Sequence, residues 1–111
     1  MVHIGLDNLS HIGYYGTKGL DITRKTGGPI GSVFAPSWGI VMAWKKRQIT
    51  WPQYRESYID EMRWSWRKHR DAWDKVLSMN EIFLLCYCRS SAHCHRSILM
   101  ELLIHMGARR I

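Results

Sequence analysis

The stretch EIFLLCYCRSSAHCHRSILMELLIHMG, residues 81–107, decides the fold. Ile82 to Cys88 is a short apolar run of the kind that forms a buried strand. Arg89 to His95 follows as a polar loop carrying Arg, Ser, His and Cys. Ser97 to Met106 is strongly apolar and closes at Gly107, which reads as a helix with a glycine C-cap. A strand, a polar loop and a helix start make a ligand platform. Open α/β sheets bind ligands at the carboxyl ends of their strands. A helix start adds unpaired N–H groups and the positive end of a dipole, which favour anions.

The rest of the chain is read outward from this loop. Its 111 residues suit one domain with a single core. The net charge of +7 and pI near 9.7 favour anionic partners, although a solvated basic face is the plainer account. No apolar run reaches the ~18 residues a membrane span needs, so no membrane partner is expected. Met1 to Leu9 lacks the charged start and apolar middle of a secretory signal, which points to a cytoplasmic protein. Three cysteines, all between Cys86 and Cys94, do not form a secreted disulfide framework.

Upstream, glycines punctuate the first thirty-odd residues, so turns and extended pieces are expected there, His11 to Tyr15 included. Gly19 to Thr23 reads as a short strand. Arg24 to Gly28 follows as a basic turn whose glycines could aim N–H groups at an anion. A plain surface turn is the simpler reading. Ser37 is a good N-cap for a helix from Trp38 to Arg47, and Lys45, Lys46 and Arg47 suit its negative end. Thr50 to Gln53 is a capping box with Pro52 in the first turn. An unbroken helix from there to Leu77 would be roughly 40 Å long. A domain this size has a radius of gyration near 13 Å, so a break is expected around Trp66 to Arg70. Arg63, Arg67, Lys68 and Arg70 beside Trp64 and Trp66 form a basic, aromatic face that could clamp single-stranded nucleic acid. Tryptophans in the core or in a dimer seam are the plainer alternative.

The loop offers several chemistries. Cys86, Cys88, Cys94 and His95 invite a zinc reading, but their spacing is irregular and no metal site is expected. A phosphatase or sulfurtransferase loop needs an Arg at fixed spacing from its Cys. Six residues beyond Cys88 is Cys94, and six beyond Cys94 is Met100, so neither fits. Cys94 lies at a helix start beside Arg96, which favours a thiolate, with His93 or His95 as base; Cys94 and His95 are therefore the catalytic candidates. The plainer reading makes Cys94 a small half-buried residue and His95 a loop hydrogen-bonder. Arg96 is the stronger candidate, because its fork binds phosphate or carboxylate bidentately. Ser90, Ser91 and Ser97 add hydroxyl donors.

LLCYCRSSAHCHRSIL resembles the C-terminal signature of domain-of-unknown-function family 488, in which Cys-His-Arg opens a helix after a short polar loop. Phe34-Ala35-Pro36-Ser37-Trp38, then Trp51, Tyr54, Tyr58 and Glu61-Met62, resembles that family's aromatic-spaced middle helix. Leu20 to Thr23 sits where the family has a first strand ending in an Asp-x-Arg-like motif; Thr23 stands in place of that Arg, with Arg24 next to it. The resemblance covers most of residues 19 to 107. It implies a small Rossmann-like α/β fold and bacterial or phage membership, and it brings no established reaction.

The combined expectation is a small Rossmann-like α/β domain, with a short, mostly parallel sheet flanked by helices. Its ligand-binding set is Asp21, Thr23, Arg24, Lys25, Cys88, Arg89, Ser90, Ser91, His95, Arg96 and Ser97. An acid for ribose hydroxyls and basic groups for phosphate suit a nucleotide or another phosphorylated small molecule, sequestered or acted upon. One alternative is nucleic-acid binding through Lys45, Lys46, Arg47, Arg63, Arg67, Lys68 and Arg70. Another is a phage or host protein-interaction module. The residues single out no cofactor and leave a homo-oligomer open.

Overall fold

The computed structural model describes residues 1–88 and 93–111. Among these residues, four strands form one sheet in the order β2-β3-β1-β4: β1 (His3–Asn8), β2 (Gly19–Asp21), β3 (Glu81–Cys86) and β4 (Arg109–Arg110). Every pairing is parallel, with His3 opposite Glu81, Asn8 opposite Cys86, and Asp21 opposite Leu85. Parallel neighbours require crossovers. Helices supply them: α1 (Ile12–Tyr15), α2 (Gly28–Gly31), α3 (Trp38–Lys45), α4 (Trp51–Lys68), α5 (Arg70–Ser78) and α6 (His95–His105). The sheet is all-parallel where a mostly parallel one was expected, and the small Rossmann-like α/β class holds. Among the described residues, no helix is long and apolar enough to cross a membrane.

Side chains alternate across a strand, and β3 shows the consequence. Ile82 and Leu84 point into the main core with Ile4, Tyr58, Met62, Trp73, Val76, Leu99 and Leu103. Phe83 faces the other side, where Tyr15 of α1 stacks on it with ring centroids 4.2 Å apart. Gly5 lies opposite Phe83 in β1, and a Cβ there would come within 2.5 Å of the Phe83 ring. Cys86 has the parity of Ile82 and Leu84, so its thiol faces the side on which α6 packs.

The long helical stretch breaks where its length demands. His69, with φ −124° and ψ 42°, ends α4 and begins α5. It is an exposed residue at the junction of the two helices. Thr50 and Gln53 make both halves of the capping box, and Ser37 caps α3 through Ile40 N–H. Three expectations change. Residues 11–15, expected extended, are helical. β3 stops at Cys86, opposite Asn8, the last residue of β1. The last helix starts at His95, two residues earlier than its apolar run.

Segment 33–36 leads from the sheet edge into α3 without forming a strand. Side chains satisfy its four successive carbonyls. Ser65 Oγ donates to Val33 O at 2.8 Å and Tyr58 Oη to Phe34 O at 2.7 Å. Arg24 donates to Ala35 O at 2.8 Å and to Pro36 O at 3.2 Å. Buried carbonyls need such partners. These four fix where α3 begins.

Candidate functional site

A cavity of about 380 Å³ lies beyond the carboxyl ends of β2 and β3. Thr23, Arg24 and Lys25 follow β2 into its wall, and Cys86 and Cys88 enter from the end of β3. Trp38 and Trp44 of α3 and Tyr54 of α4 give it an aromatic side. Tyr54 stacks on Trp51 at 4.9 Å, and the His93 ring packs 5.0 Å from Trp51, so the aromatic side is held from behind. Lys25 and Lys45 are exposed at the cavity and form no ion pair among the described residues.

The expected residues take distinct places. Asp21 is tied into its own turn: one oxygen accepts from Thr23 N–H at 2.9 Å and Thr23 Oγ1 at 2.6 Å, the other from Thr26 Oγ1 at 2.5 Å. Behind it, Gly31 lies so close that a Cβ would fall 1.8 Å from Asp21 O. Arg24 lines the cavity while its guanidinium pins residues 35 and 36. Arg96 is buried. Its guanidinium donates to Asp7 O at the end of β1 and to Cys88 O, at 2.9 Å, just past the end of β3. It joins two strand ends from within the fold, where the sequence suggested an open anion anchor. Ser97 sits in the first turn of α6, its N–H donating to Cys94 O at 3.2 Å. Arg89, Ser90 and Ser91 lie outside the described residues.

Cys94 and His95 are buried too. The His95 Nε2–H donates to Ile22 O at 2.8 Å, which leaves Nδ1 unprotonated, 3.8 Å from Cys94 Sγ. Burial depresses the His95 pKa and keeps the ring neutral. Cys86, Cys88 and Cys94 bring their sulfurs within 4.8 Å of one another. Cys86 Sγ and Cys88 Sγ are 3.4 Å apart, and all three cysteines are free. Thiol hydrogen bonds from Cys88 and Cys94 push the Cys86 thiol far down, while Cys94 is pushed up by its bond to Cys86. The neighbouring thiols and burial oppose the thiolate that the sequence places on Cys94. Desolvation also raises the Tyr54 and Tyr58 hydroxyls, keeping both protonated beside the trio. Such a cluster can supply a thiolate or bind a soft cation.

The basic face on the middle helices is divided. Arg63 pairs with Asp60 at 3.1 Å and Arg70 with Asp74 at 3.4 Å. Arg70 also lies over the Trp66 ring at 3.7 Å, and Trp66 meets Trp73 edge to face. Trp64 remains exposed, with Arg67 and Lys68 nearby in sequence. Lys46 and Arg47 are exposed beyond the end of α3.

Sequence reasoning did not find the aromatic wall as a wall. Trp38, Trp44 and Tyr54 are ordinary helix positions until α3 folds over the strand ends. The available signal was the FAPSW run, residues 34–38, which places a proline and an N-cap immediately before two tryptophan-bearing turns.

Residues 31–107 match the family model described as DUF488-N3a, active DUF488-N3 subclade, and the chain belongs to that family. No curated protein and no solved structure matches it significantly.

Proposed function

We propose that this DUF488-family domain binds a nucleotide or a similar phosphorylated aromatic molecule in the cavity at the ends of β2 and β3. The observation that carries the reading is the pairing of an aromatic wall, Trp38, Trp44 and Tyr54, with Lys25 and Lys45 on the same cavity, which form no ion pair among the described residues. A planar base stacks on aromatic faces, and lysines attract phosphate as point charges. The volume lies at the small end of ligand sites, which suits a mononucleotide better than a dinucleotide. Arg96, Asp21 and Arg24 act by shaping the site: each spends donors or acceptors on the chain itself. His95 lines the cavity, with Cys94 Sγ 3.8 Å from its Nδ1. The matched subclade's description as active favours a reaction on the bound molecule over sequestration alone, with the half-buried Cys88 as the thiol beside the cavity.

The experiment is a thermal-shift screen against mononucleotides, followed by calorimetry on the best ligand. A ligand that binds only the folded state raises the melting temperature. Trp44→Ala and Lys45→Ala each weaken binding by tenfold or more, whereas Trp64→Ala, on the basic face of α4 and outside the cavity lining, leaves it unchanged. Loss of binding in Trp64→Ala alone, with a steep salt dependence toward single-stranded DNA or RNA, would move the function to the nucleic-acid face. A panel that gives no shift at all refutes the nucleotide reading.

A further inference from the structure

We propose that Cys86, Cys88 and Cys94 form a three-thiolate binding site for a soft d10 metal ion, zinc above all, whose fourth coordination position faces the cavity. Three sulfurs converge within 4.8 Å, although the polar loop separates Cys94 from the other two in sequence. A zinc–sulfur bond of about 2.3 Å places ligand sulfurs about 3.8–4.0 Å apart in tetrahedral or trigonal geometry. The Cys86–Cys88 separation of 3.4 Å opens slightly to reach that spacing, and the rest of the trio contracts by no more than about 1 Å. These sulfurs are too far apart for a disulfide, whose S–S bond is about 2.05 Å.

The surroundings suit the ion. Cys86 at the end of β3, Cys88 just beyond it and Cys94 before α6 supply the ligands, so the strand end and the helix start frame the site. The charge of three thiolates would offset that of a dication. Asp7 O and Cys88 O are held by Arg96, which fixes the backbone at the Cys88 end. His95 is oriented by its bond to Ile22 O, with Nδ1 toward Cys94 Sγ, as ring nitrogens around metal sites are commonly set by a second hydrogen bond. It stands outside the sulfur trio. Cys86 and Cys88 line the cavity, so among the described residues a fourth position on that side is left to a small molecule. Three protein ligands and one open position are the arrangement of a zinc site that meets substrate.

The test uses the full chain, reduced and stripped with a chelator. It is titrated with Zn2+ against a chromophoric competitor, and separately with Co2+, whose thiolate charge-transfer absorption reports sulfur ligation. One ion binds per chain, and all three thiols become resistant to a thiol-modifying reagent. Cys94→Ser and Cys88→Ser each weaken binding by more than about tenfold, at least the loss expected for an outer-sphere partner alone. Circular dichroism checks that each variant is folded. Should Cys94→Ser fail to fold, Cys88→Ser at its half-buried position carries the comparison. A folded parent that binds no ion, a Cys88→Ser variant with unchanged affinity, or thiols modified equally fast with and without zinc would overturn the site. Trp44→Ala keeps its zinc while losing the nucleotide, so failure of one reading is distinct from failure of the other.

Discussion

Replacing Arg96 with lysine distinguishes a strut from an anion anchor. Arg96 is only 4% exposed, and its two terminal nitrogens donate to carbonyls on different strands' ends, Asp7 O and Cys88 O. Lysine carries a single ammonium on a stem without the planar fork, so it keeps at most one of these bonds in the same geometry. A hydrogen bond from a charged donor contributes about 1.5–3 kcal/mol. Arg96→Lys should therefore lose about 1.5–3 kcal/mol of stability, which in a domain of roughly this size lowers the melting temperature by on the order of 10 °C. Arg96→Met loses both donors but also removes a buried charge, whose desolvation cost partly offsets the loss. Its destabilisation should be comparable to that of the lysine variant, not twice as large. The assay is urea unfolding with thermal melts of the parent and both variants, followed by ligand titration at a temperature where all are folded. If Arg96→Lys melts like the parent while ligand affinity collapses, the strut is wrong and the guanidinium faces the ligand, as the sequence suggests.

Two further outcomes follow from local geometry. Gly31→Ala should cost at least about 3 kcal/mol, because the new Cβ falls 1.8 Å from a backbone oxygen that cannot rotate away; Gly13→Ala, with nothing within 4 Å of its Cβ, should stay within about 0.5 kcal/mol of the parent, and equal effects in chemical denaturation would refute the packing account. Asp7 has its pKa lowered to about 2, first by the Tyr15 hydroxyl and then by His11, so its ionised form adds stability above its ordinary pKa of about 3.9 that disappears as pH falls toward 2. Tyr15→Phe should flatten that acid-side decline in unfolding midpoints measured from pH 6 down to 2, and an unchanged slope would show that Tyr15 does not hold the charge.

The parts legible in sequence were those set by neighbours along the chain. The apolar run at Ile82 to Leu85, the Ser37 and Thr50 caps, and the break forced on an overlong helix all depend on short-range chemistry, and each stands in the fold. The central strand β1 was not legible. HIGLDN alternates poorly, and its glycine is explained only by Phe83, far away in sequence. Residues 11–15 read as extended because Gly13 and Gly16 signal turns, yet Tyr15 folds back as a short helix to cover Phe83. β4 has two residues and no pattern of its own. Arg96 looked free because the sequence shows its charge and not the two carbonyls beside it. The thiol trio was discounted on spacing, although a loop can return Cys94 to Cys86 whatever number of residues lies between them.

The site depends on a division of labour between rigid backbone and side chains that spend themselves on it. Four carbonyls from Val33 to Pro36 would be costly to bury unpaired. Ser65 and Tyr58 take the first two, and Arg24 the last two. Trp73 Nε1–H in turn donates to Ser65 Oγ at 3.0 Å, so α4, α5 and the segment before α3 share one chain of bonds. Ser37 N–H donates to Glu61 Oε1 at 2.8 Å and continues it into the first turn of α3. The direction of α3, and with it the position of Trp38 and Trp44, follows from these contacts. Arg24 links the two sides, because it leaves the turn after β2 and ends on the segment that launches α3. The aromatic wall and the strand ends are thus held at a fixed separation by a residue that also lines the space between them. This is why a basic residue at the cavity need not be a ligand anchor, and why the proposed anion site rests on Lys25 and Lys45, which form no ion pair among the described residues.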